Sequence, residues 1–466
     1  MAEFVLLMWP VVMLWLFTKF DKQQALILSL LVGYLLLPQL ITFQLPGIPG
    51  FDKHSIPAIV AAILLASKRH QITVAEPPRM DPIVKFLLAV FIFTPILTDL
   101  LNGDVLINGN TVRPGLTVIS GIREVMGAYI DVLPLLLGYR YLHDYRGARM
   151  LCGYIVIAML VYSIPMLIEV RFSPQINVWI YGYFQHDFLQ TIRYGGYRPI
   201  VFLEHPLWVA SITSFAFVFS VGLAKTDRSL RAKLTVAYLA LVLLICKSAG
   251  ALLLSMVFVP LIAFANPRRV LLISCVAVTL ATLYPVLRSS SFMPLQGIVD
   301  LAMSISPERG RSLEFRLMNE EKLLERALEK PMLGWGGSGR SLNVSPYDGA
   351  TVNVPDGLWV IFLGARGLVG YLSAFLLLAS PVFLMYRAVA RHRPPDNAEF
   401  ALLGSMAVAV TMNVIDLIPN ATLTPITWLI AGALLGNAAR VLSGRPSPTS
   451  APGGPQSKEP GLVTVI

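Results

Sequence analysis

The sequence predicts an all-α fold, a polytopic transmembrane helix bundle, and three observations predict it. Of 466 residues, 55% are hydrophobic and only 14% charged, with mean hydropathy +0.67; a soluble domain carries about 25% charged residues. Apolar runs long enough to cross roughly 30 Å of hydrocarbon as helices recur along the whole chain. The alternating polar and apolar residues of a membrane barrel are absent, and hydrocarbon offers backbone amides no water, so only helices or closed barrels cross it.

Reading the apolar runs against their breakers gives about thirteen spans. Six lie near 4–18, 24–42, 56–67, 83–99, 125–141 and 150–170. Seven more lie near 200–223, 232–246, 249–265, 270–287, 357–385, 398–415 and 421–439. The stretch 56–67 is short enough for a tilted or half-membrane element. The run from Phe4 lacks a basic leader and a small-residue cleavage site, so it reads as a retained helix and not a signal peptide. Cys152, Cys246 and Cys275 fall in or beside apolar runs, with neither a disulfide framework nor metal-ligand spacing. The division expected is 1–199 N-terminal membrane helices, 200–287 central helices, 288–356 a loop subdomain, 357–440 C-terminal helices and 441–466 a cytoplasmic tail. That tail, rich in Pro, Gly and Ser from Ser443 onward, is expected to be disordered.

Basic residues set the orientation. Alternate loops carry Lys19 and Lys22; Lys68, Arg69 and Arg79; Arg140, Arg146 and Arg149; and Lys225, Arg228, Arg231 and Lys233. The phase continues through Arg268 and Arg269, then Arg387, Arg391 and Arg393, then Arg440 and Arg445. The positive-inside rule makes that side cytoplasmic, and topology accounts for most of the net charge of +10 without nucleic acid. The opposite face receives loops 43–55, 100–123, 171–199 and roughly 288–356. Loops of this length are uncommon unless they have a task. The longest contains SLEFRLMNEEKLLERALEK, with Leu313, Leu317, Leu324 and Leu328 near one helical face, ended by Pro331 and GWGGSG. It reads as an outward helix lying on the membrane, either tiling the surface or serving a site.

Cations also sit where the positive-inside rule disfavours them: Arg171, Arg193, Arg198, Arg288, Arg309, Arg311, Arg316 and Arg340, with Lys247 in a short turn. An outward arginine cluster suits a bidentate polyanion such as a diphosphate. Glu204 and His205 are expected one to two turns inside a span, where ionisable groups are expensive. Each has a plainer reading: Glu204 and His205 paired with neighbours, Lys247 snorkelling to the interface, Asp356 a helix cap. No P-loop, HExxH, CxxC pair, GxSxG or DxD pattern is present, and six scattered histidines give no metal site. Neither a metal nor a cofactor is implied.

FRLMNEEKLLERALEKPMLGWGGSG, followed by DGLWVIFLGARGLVGYL, resembles the C-terminal signature of the O-antigen ligase/polymerase (Wzy-like) superfamily. Arg316, Pro331, Leu333, Gly334, Gly336, Asp356, Gly367 and Gly370 occupy its positions; CKSAGALLL and RPIVFLEHP resemble two further family motifs, and the likeness covers about residues 190–440. Ligases place a His before the post-loop helix, where this chain has Asp356. They also follow the turn serine with an Arg, where Lys247 here precedes Ser248. Both departures favour a polymerase or exopolysaccharide member.

The resemblance implies an inverting, metal-independent glycosyltransferase at the periplasmic face of the bacterial inner membrane, polymerising undecaprenyl-diphosphate-linked repeat units. The partners implied are that lipid-linked glycan, membrane lipids, and chain-length regulator and export proteins. On this reading Arg198 and Arg316, with Arg193 or Lys247, stabilise the leaving diphosphate. Asp356 takes the acceptor's proton, with Glu204 or His205 as alternates; Arg288, Arg311 and Arg340 complete the substrate-binding set. An O-antigen ligase and a lipid-linked oligosaccharide flippase or solute carrier remain as rivals. A transporter would place polar residues in paired broken helices with internal repeats, and no repeat is evident. A passive export scaffold explains the helices but not the arginines.

Overall fold

The computed structural model describes residues 1–67, 76–108, 111–289, 295–345, 347, 350–392 and 397–444. Its helices are α1 (Ala2–Lys19), α2 (Lys22–Leu36), α3 (Ser55–Ala66), α4 (Pro82–Leu100), α5 (Val118–Tyr141), α6 (Tyr145–Phe172) and α7 (Ile176–Tyr181). They continue with α8 (Pro206–Ala224), α9 (Leu230–Ile245), α10 (Ala249–Phe264), α11 (Pro267–Thr282), α12 (Tyr284–Ser289), α13 (Leu295–Ile305) and α14 (Pro307–Leu328). The last are α15 (Leu358–His392), α16 (Asn397–Asp416) and α17 (Pro425–Leu442). Two small antiparallel hairpins, β1–β2 (Leu106–Asn108, Thr111–Arg113) and β3–β4 (Ile192–Arg193, Gly196–Tyr197), are the strands among the described residues.

The fold is therefore an all-α bundle. Seven helices, α1, α4, α6, α8, α15, α16 and α17, are long and apolar enough to cross a membrane. A helix stands at each of the thirteen expected positions, but the other six fall short of that standard. Helix α5 is long yet less apolar, while α2, α3, α9, α10 and α11 have 16 residues or fewer, about 24 Å at 1.5 Å per residue. Sequence starts are sharp where polar caps precede them: Asp21, Asp144, Ser229, Asn266 and Thr424 each accept a backbone N–H of the first turn.

Helix α17 is buried along nearly its whole length and crosses α5 closely. Glycines permit this: a Cβ on Gly432 would stand 2.0 Å from Leu135 O, and one on Gly138 would stand 2.5 Å from Leu429 O. Small residues let membrane helices approach until their backbones touch.

Contacts sort the connections into two ends. At one, Arg146 pairs with Asp21, Gln23 donates to Tyr141 O and Asp144, and Asn437 donates to Leu142 O. Arg440 pairs there with Glu399. At the other, Gln39 meets Glu204, Lys330 meets Asn102, and Arg316 meets Pro419. Each of these contacts joins connections expected on the same side. Lys68, Arg69, Arg393, Arg445 and the tail from 445 lie outside the described residues, as does the side chain of Arg309.

Several expectations need correction. Helix α8 starts at Pro206 with His205 as its cap, so Glu204 and His205 stand at the mouth of the helix and not inside it. Proline at the first helical position is pre-organised for a start, which the apolar run concealed. On α14 the inward stripe is Leu323, Leu324 and Ala327, while Leu328 is 53% exposed. Alanine at 327 completes the face that Leu328 was expected to complete. The three cysteines are all free and buried.

Helix α15 is broken at Gly367 (φ 63°, ψ −169°). The break frees backbone groups, and the PMLGWGG turn takes them. Trp335 N donates to Gly364 O (2.8 Å) and Gly336 N to Ala365 O (2.9 Å); Leu368 N donates to Pro331 O (2.7 Å) and Val369 N to Met332 O (3.2 Å). Buried backbone that leaves a helix requires such internal partners. Thr98 Oγ1 donating to Leu333 O and Asn102 Nδ2 to Gly334 O fasten the same turn to α4.

Candidate active site

The site begins with the β3–β4 hairpin. Tyr194 (φ 52°) and Gly195 (φ 66°) both take positive φ, as a tight hairpin turn matched to strand twist requires. The hairpin delivers Arg198, which is 2% exposed. Its backbone N donates to Thr191 O (2.7 Å), its Nε donates to Cys246 O (3.3 Å), and its Nη2 is buried without a hydrogen-bond partner. The Cys246 carbonyl is available because α9 ends there and Lys247 turns the chain at φ 50°. Lys247 Nζ donates back to Arg193 O (3.1 Å), so hairpin and turn clasp each other.

The segment after Arg198 is fixed from below by Glu169 of α6. Its Oε2 accepts from Ile200 N and Val201 N (2.8 Å each) and its Oε1 from Ile176 N (3.2 Å). Glu204 accepts from Gln39 Nε2 (2.9 Å), and Lys53 Nζ donates to Phe202 O (3.0 Å). Burial pushes the Lys53 amine down to about 7, against the opposing pull of Asp52 and Glu204.

His205 caps α8, its Nδ1 accepting from Leu207 N (3.0 Å), while Nε2 faces Gln190 Oε1 (3.1 Å). The His186 ring stands edge-on with centroids 4.6 Å apart. Burial first, then His186, Arg198, Arg316 and Arg193, push the His205 imidazole down to about 3. It is a neutral cap at neutral pH, and a weak base. Burial, reinforced by Arg193 and Arg316, also lowers Arg198, to about 10. Arg193, Arg198 and Arg316 are therefore within electrostatic reach of one another, an arrangement that favours an anion among them.

Arg316 projects from α14 toward the α16–α17 connection. Its Nη1 donates to Pro419 O (3.3 Å), lies 3.5 Å from Asn420 Oδ1, and its Nε stands 3.5 Å from Asp356 Oδ2. Asn420 in turn donates to Asp416 Oδ1 (2.8 Å), and Thr422 donates to Asp416 Oδ2 (2.7 Å). A cavity of about 110 Å³ is lined by Arg316, Asp356, Tyr284, Glu320 and Pro419, among others. Asp356 precedes α15 as the partner of Arg316, half-exposed beside this space.

The remaining cations part company with the cluster. Arg340 is fully buried, donating to Trp335 O, Pro114 O (2.9 Å) and Asp104 O (3.0 Å), which ties the post-turn loop to the β1–β2 hairpin. Arg288 is ion-paired with Glu320 at 2.9 Å and approaches Glu321 at 3.8 Å. Arg311 is exposed on α14. The structure thus gathers Arg193, Arg198, His205, Lys247, Arg316 and Asp356, and gives Arg340 and Arg288 structural work. Asp416 and Glu169 belong to the surroundings of the site and were not singled out from sequence. Their one signal is an acidic residue at the end of an apolar run. Among the described residues no three His, Cys, Asp or Glu side chains are grouped to hold a metal ion. Comparison of the chain with protein-family models and with curated proteins gives no match.

Proposed function

We propose that the protein is a glycosyltransferase that joins polyprenyl-diphosphate-linked repeat units into a polysaccharide at the outer face of a bacterial inner membrane. The observation that carries this reading is the pairing of Arg316 with Asp356 at 3.5 Å, with Arg316 in electrostatic reach of Arg198. An anion binder and a proton acceptor stand side by side, as displacement of a diphosphate by a sugar hydroxyl demands. The family resemblance of the surrounding motifs points the same way, and the positive-inside rule puts the arginine end outside.

In this mechanism the acceptor hydroxyl gives its proton to Asp356 as its oxygen attacks the anomeric carbon of the donor. The carbon–oxygen bond to the diphosphate breaks with inversion. The departing charge is taken by the free Nη2 of Arg198, by Arg316, and at the rim by Arg193 and Lys247. His205, neutral, shapes the mouth without adding charge. In proteoliposomes supplied with lipid-linked repeat units, the wild type makes polymer; Arg198→Ala and Arg316→Ala leave the units unjoined. Full polymer from both variants overturns the reading.

A ligase passing the glycan to a lipid acceptor uses the same chemistry and differs in the product's lipid. The break in α15 at Gly367 favours a second reading, a lipid-linked oligosaccharide transporter. The two separate cleanly, because transport moves substrate across the bilayer without a new glycosidic bond.

A further inference from the structure

We propose that a second, acidic and aromatic cleft beside the arginine cluster is the subsite for the acceptor sugar, a neutral or amino-bearing pyranose of the glycan. The assignment rests on the glycosyl transfer proposed above and adds where the non-phosphorylated substrate sits.

The cleft has a volume of about 390 Å³, within the usual range of about 300–1,000 Å³ for ligand pockets. Trp208, Phe91, Phe362 and Trp428 line it, with Phe91 lying 6.0 Å from Trp428 and 6.2 Å from Phe362 by ring centroid. Asp52 and Asp131 supply its carboxylates. Asp52 is held by the loop, its Oδ1 accepting from His54 N and Ser55 N (2.9 Å each), and Asp131 is exposed within the cleft about halfway along α5. Phe362 also lines an adjoining cavity of about 200 Å³ that holds Asp99, Glu124 and Arg366.

In that adjoining cavity Arg366 supplies an independent sign of a ligand. Its guanidinium lies 5.3 Å from the ring centroids of both Phe91 and Phe362, and its Nη2 is 3.9 Å from Glu124 Oε2. Its Nη1 is buried and has no hydrogen-bond partner. A buried donor left unmade costs about 1–3 kcal/mol or more for a charged group, so something is expected to accept from it.

The mixture selects the ligand. Asp52 and Asp131 in the cleft, with Asp99 and Glu124 around Arg366 in the adjoining cavity, oppose a diphosphate, and burial pushes His54 down to about 4, so it adds no compensating cation. A purely cationic ligand would leave Arg366 Nη1 unsatisfied. Sugar hydroxyls both donate and accept, so they satisfy carboxyl and guanidinium together. The apolar ring faces of a pyranose fit aromatic side chains.

The cleft also adjoins the reacting groups. Asp356, Gly357, Ile418 and Pro419 line the Arg316 cavity, while Leu358, which follows directly, and Leu423 and Thr424, further along the second segment, line the cleft. Two chain segments thus contribute to both spaces, and on that ground we place the acceptor sugar next to Asp356. On this proposal phosphate and sugar are sorted by opposite charge between two neighbouring spaces.

The test uses the purified full-length protein and oligosaccharides released by mild acid from the polyprenyl-diphosphate pool of the producing cells. Retention is read by mass spectrometry after equilibrium dialysis. Wild type retains a saccharide, Trp428→Ala and the near-isosteric Asp131→Asn lower its affinity at least tenfold, and Arg198→Ala retains it. Thermal melting confirms that each variant is folded. Absence of retention by wild type, or equal retention by folded Trp428→Ala and Asp131→Asn, overturns the subsite. Cleft-dependent retention without any new glycosidic bond would instead remove the transferase reading and leave the sugar site standing.

Discussion

Gly334 and Gly367 meet backbone to backbone: a Cβ on Gly334 would stand 2.6 Å from Gly367 N, and one on Gly367 would stand 2.3 Å from Met332 O. Both also have positive φ, 70° and 63°. The glycine turn is therefore the plug of a broken helix, and it positions everything from α14 to α15. Left-handed backbone costs a non-glycine residue about 1–2 kcal/mol, and overlap with main chain adds to that. Gly334→Ala and Gly367→Ala should each lower the melting temperature in detergent markedly. Gly153→Ala, in open space within α6, should leave it unchanged or raise it slightly. Equal melting temperatures for all three variants would contradict the plug.

Arg340 and Arg198 are both buried arginines, and they should fail differently. Arg340 gives its donors to three backbone carbonyls and joins two loops. Hydrogen bonds from charged groups contribute about 1.5–3 kcal/mol each, so Arg340→Ala should destabilise the fold by several kcal/mol and lower activity only through the loss of folded protein. Arg198 keeps a free Nη2, so Arg198→Lys should melt close to wild type yet lose bond formation, because an ammonium lacks the planar fork. Specific activity per folded molecule, measured for both, decides.

How much of this was legible in the sequence follows from which forces act locally. Membrane helices declare themselves because hydrocarbon demands length and apolarity; a helix stands at every expected position, and seven of them are long and apolar enough to cross a membrane. The cluster of Arg193, Arg198, Lys247 and Arg316 was legible because cations in the loops expected to face outward would violate a topology rule. Arg340 and Arg288 violate the same rule, yet their partners, carbonyls over two hundred residues away and a glutamate of α14, are tertiary. Sequence patterns could not separate them. The cleft that Asp52 lines together with Asp131 of α5 likewise depends on helices distant in the chain.

Asp356→Asn tests the proton acceptor. The amide keeps the shape and loses the base, so bond formation should fall by about 10²–10⁴-fold with binding of the lipid-linked unit preserved. Arg316 would lose its 3.5 Å ion pair, which is half-exposed and contributes little to stability. The melting temperature should therefore hold while turnover collapses. Undiminished turnover would move the base elsewhere, with Asp416 the nearest carboxyl linked to Arg316 through Asn420.

His205 gives a pH signature of known sign. Its folded value, about 3, lies below the ordinary 6.5, so the unfolded chain binds the proton more readily. Its contribution to stability is present in full above about pH 6.5 and is lost as pH falls from there toward 3. The limiting slope is about 1.4 kcal/mol per pH unit for one such group. His186, Arg193, Arg198 and Arg316 all face it and oppose its protonation. His54, pushed down to about 4, contributes with the same sign. Carboxyl titrations intrude below about pH 5, so the informative window is pH 7 to 5. His205→Asn keeps an acceptor for Leu207 N and removes the titrating ring. Its melting temperature should fall less than that of wild type across this window, and parallel curves would show that the imidazole is not buried as a neutral cap.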